Sequence, residues 1–285
     1  DESRLSRSAM TRLIDGLEDD LPAEVSPAML YQMKTQQRIR AATSLSATHR
    51  NAEATRLYAE AAAQPLPSGI SPLHRATWRA EKRRGRAIML GMQGDRAAAA
   101  AEYERALSYF EGVEPPTEEK SRWNFYLCQS RLHTGLGLEQ TSLQAWDVAG
   151  EHFEKASHAL TEMCAIFPDH AALADQQVQL AHFRGALAEQ QSDWTSALDY
   201  YATSRAHALK SFRQNPANLL PANFYVMTSV ALCRTHEKNQ SLAMARAVAE
   251  ETFATTREFP ADLQQNKAFI DNLNKIGNET NAEYV

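Results

Sequence analysis

Arg75, Arg79, Lys82, Arg83 and Arg86 stand at offsets of 0, 4, 7, 8 and 11. On a helix, which turns about 100° per residue, these offsets fall along one stripe. With His74 and Arg84 beside them, they form the densest positive patch in a chain whose net charge is −5. Guanidinium groups hold carboxylates and phosphates through paired hydrogen bonds. The chemistry expected of the stripe is therefore capture of an acidic peptide, a terminal carboxylate or a phosphate group. The competing reading is a solvated face, partly neutralised by Glu102 and Glu104 of the next helix.

Patterns that carry catalysis or bind metals are missing from the sequence. The nine histidines form no H-E-x-x-H motif, and His152 and His158 are six apart, which places them on different helix faces. Cys128, Cys164 and Cys233 are odd in number and widely spaced, so a disulfide framework is not expected and buried free thiols are. Cys128 and His133, five apart, diverge on a helix and make a poor thiol–imidazole pair. Gly135 and Gly137 lack the third glycine and the preceding strand of a dinucleotide loop. There is no G-x-S-x-G elbow. The expectation is a protein that is not an enzyme and needs no cofactor or metal. A helical enzyme would require a convergent acidic or histidine-rich pocket, and acid–base pairs made across the fold are not visible in spacing.

The elements that position the stripe follow from composition and period. Ala, Leu, Gln, Glu and Arg dominate, while Gly and Pro number 11 each, a mix that favours helix over strand. No apolar run is long enough to span a bilayer, and no signal peptide is legible. The acidic balance argues against wholesale coating of nucleic acid or membrane. The opening residue is Asp1, as expected of a piece of a longer protein.

A trio of small residue, aromatic and small residue recurs at offsets of four and three. It appears as Ala54, Tyr58 and Ala61, as Ala99, Tyr103 and Ala106, as Ala149, Phe153 and Ala156, and as Ala197, Tyr201 and Ser204. A degenerate fifth copy is expected at Ala243 and Ala247, broken by Glu250. Each trio lies on one helix face, where small residues admit a neighbouring helix and the ring fills the groove. Each has a helix upstream, and Gly94-Asp95 and Ser192-Asp193 can turn the chain into the next helix. Pro168, Pro216 and Pro260 end the second helices. Trp78, Trp123, Trp146 and Trp194 are expected between helices.

These residues resemble the tetratricopeptide repeat family over roughly residues 35–260. The resemblance rests on Gly94-Asp95 with Ala99, Tyr103 and Ala106, and on Asp193-Trp194 with Ala197 and Tyr201. The period departs from the family's usual length of about 34 residues, which calls for longer helices or longer loops. The resemblance implies an all-α fold of stacked antiparallel helical hairpins, an α-solenoid. It assigns 1–34 to lead-in helices and repeats to about 35–68, 73–112, 117–168, 169–216 and 217–260. Residues 261–285 are a capping helix and tail. The segment from Met10 to Pro22 is similar to the lead-in of C-terminal repeat regions in bacterial multidomain signalling proteins.

What the resemblance implies for function is an interaction or sensor region with no catalytic role. It would bind a peptide or protein, acidic in character, or another domain of its own parent chain. Besides the Arg75–Arg86 stripe, first helices would offer Arg131, Gln179, His182, Glu189, Tyr225 and Thr228 to a concave face. A cytoplasmic setting is expected, with the outer side of an anchored parent as the alternative. Nucleic-acid binding through the stripe is the other runner-up, disfavoured by the absence of interleaved aromatics.

Overall fold

The computed structural model describes residues 51–63, 65–66, 69–216, 219–260 and 267–280, together with 31, 34, 35, 38, 42 and 264. The described residues form ten α-helices and no strand. The amphipathic helix expected over 3–20 and the turn at 21–27 lie outside them. The chain divides into two compact units, Asp1–Pro115 and Pro116–Val285. No described helix is long and apolar enough to cross a membrane.

The first unit holds α1 (Asn51–Ala63), α2 (Pro72–Met92) and α3 (Arg96–Ser108). Pro72 opens α2, where its missing N–H costs nothing, and Ser71 Oγ accepts from the His74 N–H at 3.2 Å. Three residues, Gln93 to Asp95, connect α2 to α3. Gly94 takes φ 87°, a left-handed conformation that suits glycine. The Asp95 N–H then reaches back to the Leu90 carbonyl at 3.0 Å, while its carboxylate accepts from the Ala98 N–H at 3.1 Å. One short turn thus satisfies the end of one helix and the start of the next.

The second unit holds α4 (Glu119–Ser142), α5 (Trp146–Ile166), α6 (Ala171–Gln190), α7 (Trp194–Gln214), α8 (Leu219–Lys238), α9 (Leu242–Thr256) and α10 (Lys267–Thr280). The α2–α3 turn recurs here three times. Gln144, Ser192 and Gln240 take φ of 63°, 61° and 58°. The long-reach hydrogen bond recurs with them, from Ala145 to Gln140 at 2.9 Å, Asp193 to Ala188 at 2.9 Å and Ser241 to His236 at 2.7 Å. Asp193 also repeats the side-chain cap, accepting from Ser196 N–H at 3.1 Å, whereas Ala145 and Ser241 make none. The hairpins are α4–α5, α6–α7 and α8–α9. Their first helices run 20 to 24 residues, and α5 and α7 run 21 each. Helix length, not loop length, accounts for the long period.

The aromatic trios close these hairpins. Tyr103, Phe153 and Tyr201 are buried, as are the small residues flanking them. Twelve residues before the leading alanines Ala149 and Ala197 the facing helix is pared back to glycine. A Cβ on Gly137 would lie 2.5 Å from the Phe153 ring, and one on Gly185 would lie 2.7 Å from the Tyr201 ring. In the first unit a glycine also receives a ring, but with the order reversed: a Cβ on Gly85 of α2 would lie 2.6 Å from the ring of Tyr58 on the preceding α1. The fifth copy sits two residues later than the sequence suggests. Ala243, Ala247 and Glu250 are exposed, while Ala245, Ala249 and Thr252 are buried. The reason is the turn: the left-handed residue precedes the leading alanine by five in each hairpin, and Gln240 sets Ala245 in that place. Cys233 occupies the glycine register, its Sγ 3.4 Å from the Ala245 carbonyl. Beyond α9, α10 buries Phe269, Leu273 and Ile276 in one cluster with Phe253 and Phe259.

Two smaller expectations need correction. Cys128 and Cys233 are buried, but Cys164 is exposed, because it follows buried Met163 and turns to the outer face of α5. Trp123 is buried, whereas Trp146 is 36% exposed at the first position of α5, where the turn leaves one side open.

Candidate functional site

The basic stripe lies along α2 and draws in a residue of α3. Arg75 and Arg79 are exposed, and the Arg79 guanidinium sits over the Tyr109 ring, 5.7 Å from its centroid. Lys82 is half-buried with its ammonium 5.2 Å from the Tyr31 ring; burial, then the charge of Arg79, lowers its pKa. Arg83 donates to the Glu102 carboxylate at 2.8 Å and to the Tyr109 hydroxyl at 3.5 Å. Arg105 reaches the other Glu102 oxygen at 3.0 Å, and Arg86 lies 3.7 Å from it. The Glu102 side chain is 3% exposed, whereas those of Arg86 and Arg105 are 60% and 63% exposed.

Three guanidinium groups therefore share one buried carboxylate. The carboxylate is desolvated and needs its partners; the arginines do not all need it. Arg83 is committed inward. It is a structural member of the cluster, not a free surface cation, and the sequence could not distinguish it from its neighbours on the stripe. Arg84 turns aside to Glu81 at 2.8 Å. Arg75, Arg79 and Arg86 remain exposed along the stripe. Arg105 joins them, and spacing along α2 alone missed it. Its only sequence signal is the i+3 relation to Glu102.

The second set of expected residues separates. His182, on α6, is partly buried; its Nδ1 lies 3.0 Å from the Thr228 hydroxyl of α8. Burial is the main cause that lowers its pKa to about 4, with Arg234 assisting and Glu189 opposing. Glu189 is held by Arg234 through two bonds of 2.7 Å and accepts from the Tyr201 hydroxyl at 2.9 Å. Burial, with this carboxylate beside it, raises the Tyr201 pKa and keeps the phenol protonated. His182, Glu189 and Thr228 thus belong to one polar seam between α6 and α8. Arg131 lies on α4, half-buried.

Tyr225 is not a surface residue. It is fully enclosed, because the aromatic ring fills the core beneath Phe259. Its hydroxyl accepts from Arg205 Nη2 at 2.6 Å. Arg205, which no spacing in the sequence marks, also donates to Ser229 at 2.9 Å, Thr252 at 3.3 Å and Glu251 at 3.0 Å. It joins α7, α8 and α9 through one largely buried side chain.

An open cleft of about 460 Å³ lies against α5, α6 and α7, lined by Trp146, Glu151, Glu154, Arg184 and Tyr200 among others. Arg184 occupies its wall, paired with Glu154 and set over the Tyr200 ring at 5.0 Å. Among the described residues, no three His, Cys, Asp or Glu side chains converge as a metal centre. No protein-family model matches the chain, and no curated protein matches its sequence.

Proposed function

We propose that the chain is a non-catalytic interaction region that binds an acidic segment of a partner protein through the outer arginines of α2 and α3. The observation that carries this reading is the excess of guanidinium groups around Glu102. Arg83 and Arg105 hold both of its oxygens, and Arg86 lies beside them. Glu102 shows what the cluster accepts: a carboxylate engaged by several arginines at once. Arg75, Arg79 and Arg86 extend the same chemistry outward, where a second carboxylate from a partner would meet charge not fully compensated. The recurring turn and the ring-on-glycine contacts support a tetratricopeptide-like α-solenoid, a fold that offers long surfaces to extended partners. On that reading the chain serves a larger signalling protein of bacterial type. The acidic segment belongs to a separate protein or to another domain of the parent.

The test is fluorescence anisotropy with a labelled glutamate-rich peptide. The full chain should bind it, and the combined change Arg75→Glu, Arg79→Glu and Arg86→Glu should weaken binding about tenfold or more. Arg83 is left in place because its loss would strand a buried carboxylate. Equal binding by both chains would rule the face out. Tighter binding to a single-stranded oligonucleotide, with a steep salt slope, would favour a nucleic-acid ligand instead.

A further inference from the structure

His133 and His152 stand on opposite helices of one hairpin, α4 and α5. Their Nδ1 atoms approach to 3.1 Å, with the rings 23° from parallel and their centroids 5.3 Å apart. The acidic-peptide reading makes no use of them. Two imidazole nitrogens at this distance cannot both present bare lone pairs. Something electron-poor must lie between them, either a proton carried by one ring or a metal ion bonded to both.

The spacing suits the metal. Zinc–imidazole bonds of about 2.0–2.1 Å closing on nitrogens 3.1 Å apart subtend about 100° at the ion. That angle lies between the right angle of an octahedral shell and the wider angle of a tetrahedral one. Burial is the main cause that lowers the pKa of both rings, His133 to about 4. Both are neutral near pH 7, the state in which imidazole ligates. Of the charged groups near the pair, Lys155 opposes a cation and Glu151 favours one. Imidazole ligands select zinc, copper or nickel over magnesium or calcium.

We propose that His133 and His152 form a cross-helix chelate for a borderline divalent transition-metal cation, which clasps α4 to α5. The site is one turn from Gly137 and adjacent to Phe153, so the ion would reinforce the contact that closes this hairpin. Two protein ligands leave the remaining positions of the shell to water. Binding displaces the proton held between the two Nδ1 atoms; it moves to Nε2 of the ring that carried it, so both ligands remain neutral imidazoles and their Nδ1 lone pairs face the ion.

The experiment is thermal unfolding of the full chain with and without excess Zn²⁺. The wild-type chain should gain about 3 °C or more in Tm. His133→Gln and His152→Gln, which each keep a polar group facing the remaining ring, should lose that gain. No gain in the wild-type chain, or an equal gain in both variants, would overturn the proposal. Imidazole ¹⁵N spectra of the unsubstituted chain give a readout independent of the variants. Zn²⁺ should move the Nδ1 resonances of His133 and His152 together, and their failure to move at saturation would also overturn it.

Discussion

In the α6–α7 hairpin a bare glycine, Gly185, receives the ring of Tyr201. In α8–α9, Cys233 stands in the glycine's register and Ala249 in the ring's, both fully buried. The turns of the two hairpins are the same, with a left-handed residue at Ser192 and Gln240 and the same long-reach hydrogen bond. What recurs is therefore the space between the two helices, and the two hairpins divide the filling of it differently. Where the ring is absent from α9, Phe253 one turn further along packs with Phe259 and Phe269 of the C-terminal cluster. Close packing tolerates such exchanges when the total volume is kept.

The comparison breaks most visibly at Tyr201. Tyr201→Ala should destabilise by about 2–4 kcal/mol, since it removes a buried ring and strands Glu189 with one partner fewer. Gly185→Cys alone should also destabilise, because its Cβ meets the ring at 2.7 Å. The pair Gly185→Cys with Tyr201→Ala reproduces the α8–α9 solution, and its cost should fall below the sum of the single changes. Urea unfolding of the four chains measures this. A strictly additive result would show that the two registers do not share one space.

Next in size is a dependence on pH. His182 stands three residues before Gly185, where α8 has Val230, and its ring centroid lies 5.5 Å from that of Tyr201. Its pKa falls from an unfolded value near 6.5 to about 4, mainly through burial. As the pH drops below about 6.5, the unfolded chain takes up a proton that the folded chain resists. Stability present above that pH is lost progressively down to about 4, by on the order of 3 kcal/mol for this residue. His133 contributes over the same window. His182→Gln should make the fall between pH 6.5 and 4 shallower, as read by denaturant midpoints. An unchanged slope would mean that His182 is solvated.

The smallest effects lie in the turns and on the surface. Gln144→Gly and Gln240→Gly should each stabilise by about 0.5–1 kcal/mol, because a side chain at positive φ is strained and Gly94 already relieves it in α2–α3. Destabilisation by either would show that the side chain makes a contact outweighing the strain. Arg213→Ala should change stability by less than about 0.5 kcal/mol, since its pair with Glu258 is more than half exposed on both sides. A larger loss in the same melts would show that the pair is shielded from water.

The trios were legible because period and residue type agreed. Ala149, Phe153 and Ala156 advertise one face, and helix termini at Gly94-Asp95 and Asp193 carry their own chemistry. The register of the fifth copy is not legible in sequence, because Ala249 replaces the aromatic marker and α9 is rich in alanine on every side. The stripe was visible as a line of charges, but its division into Arg83, bound inward, and Arg75, Arg79 and Arg86, left outside, depends on where Glu102 sits across the hairpin. Tyr225 read as amphipathic surface because a tyrosine shows nothing in sequence of what its hydroxyl meets; Arg205 meets it inside. The His133–His152 pair was invisible for the same reason, since its members lie on different helices.

Hydrogen exchange of the full chain, with and without the glutamate-rich peptide, tests the central claim about the basic face. The account predicts slowed exchange confined to the amides of α2 and α3, around Arg75 to Arg86 and Arg105. Unchanged exchange there, or protection concentrated on α6 and α8 around His182 and Arg234, would contradict it.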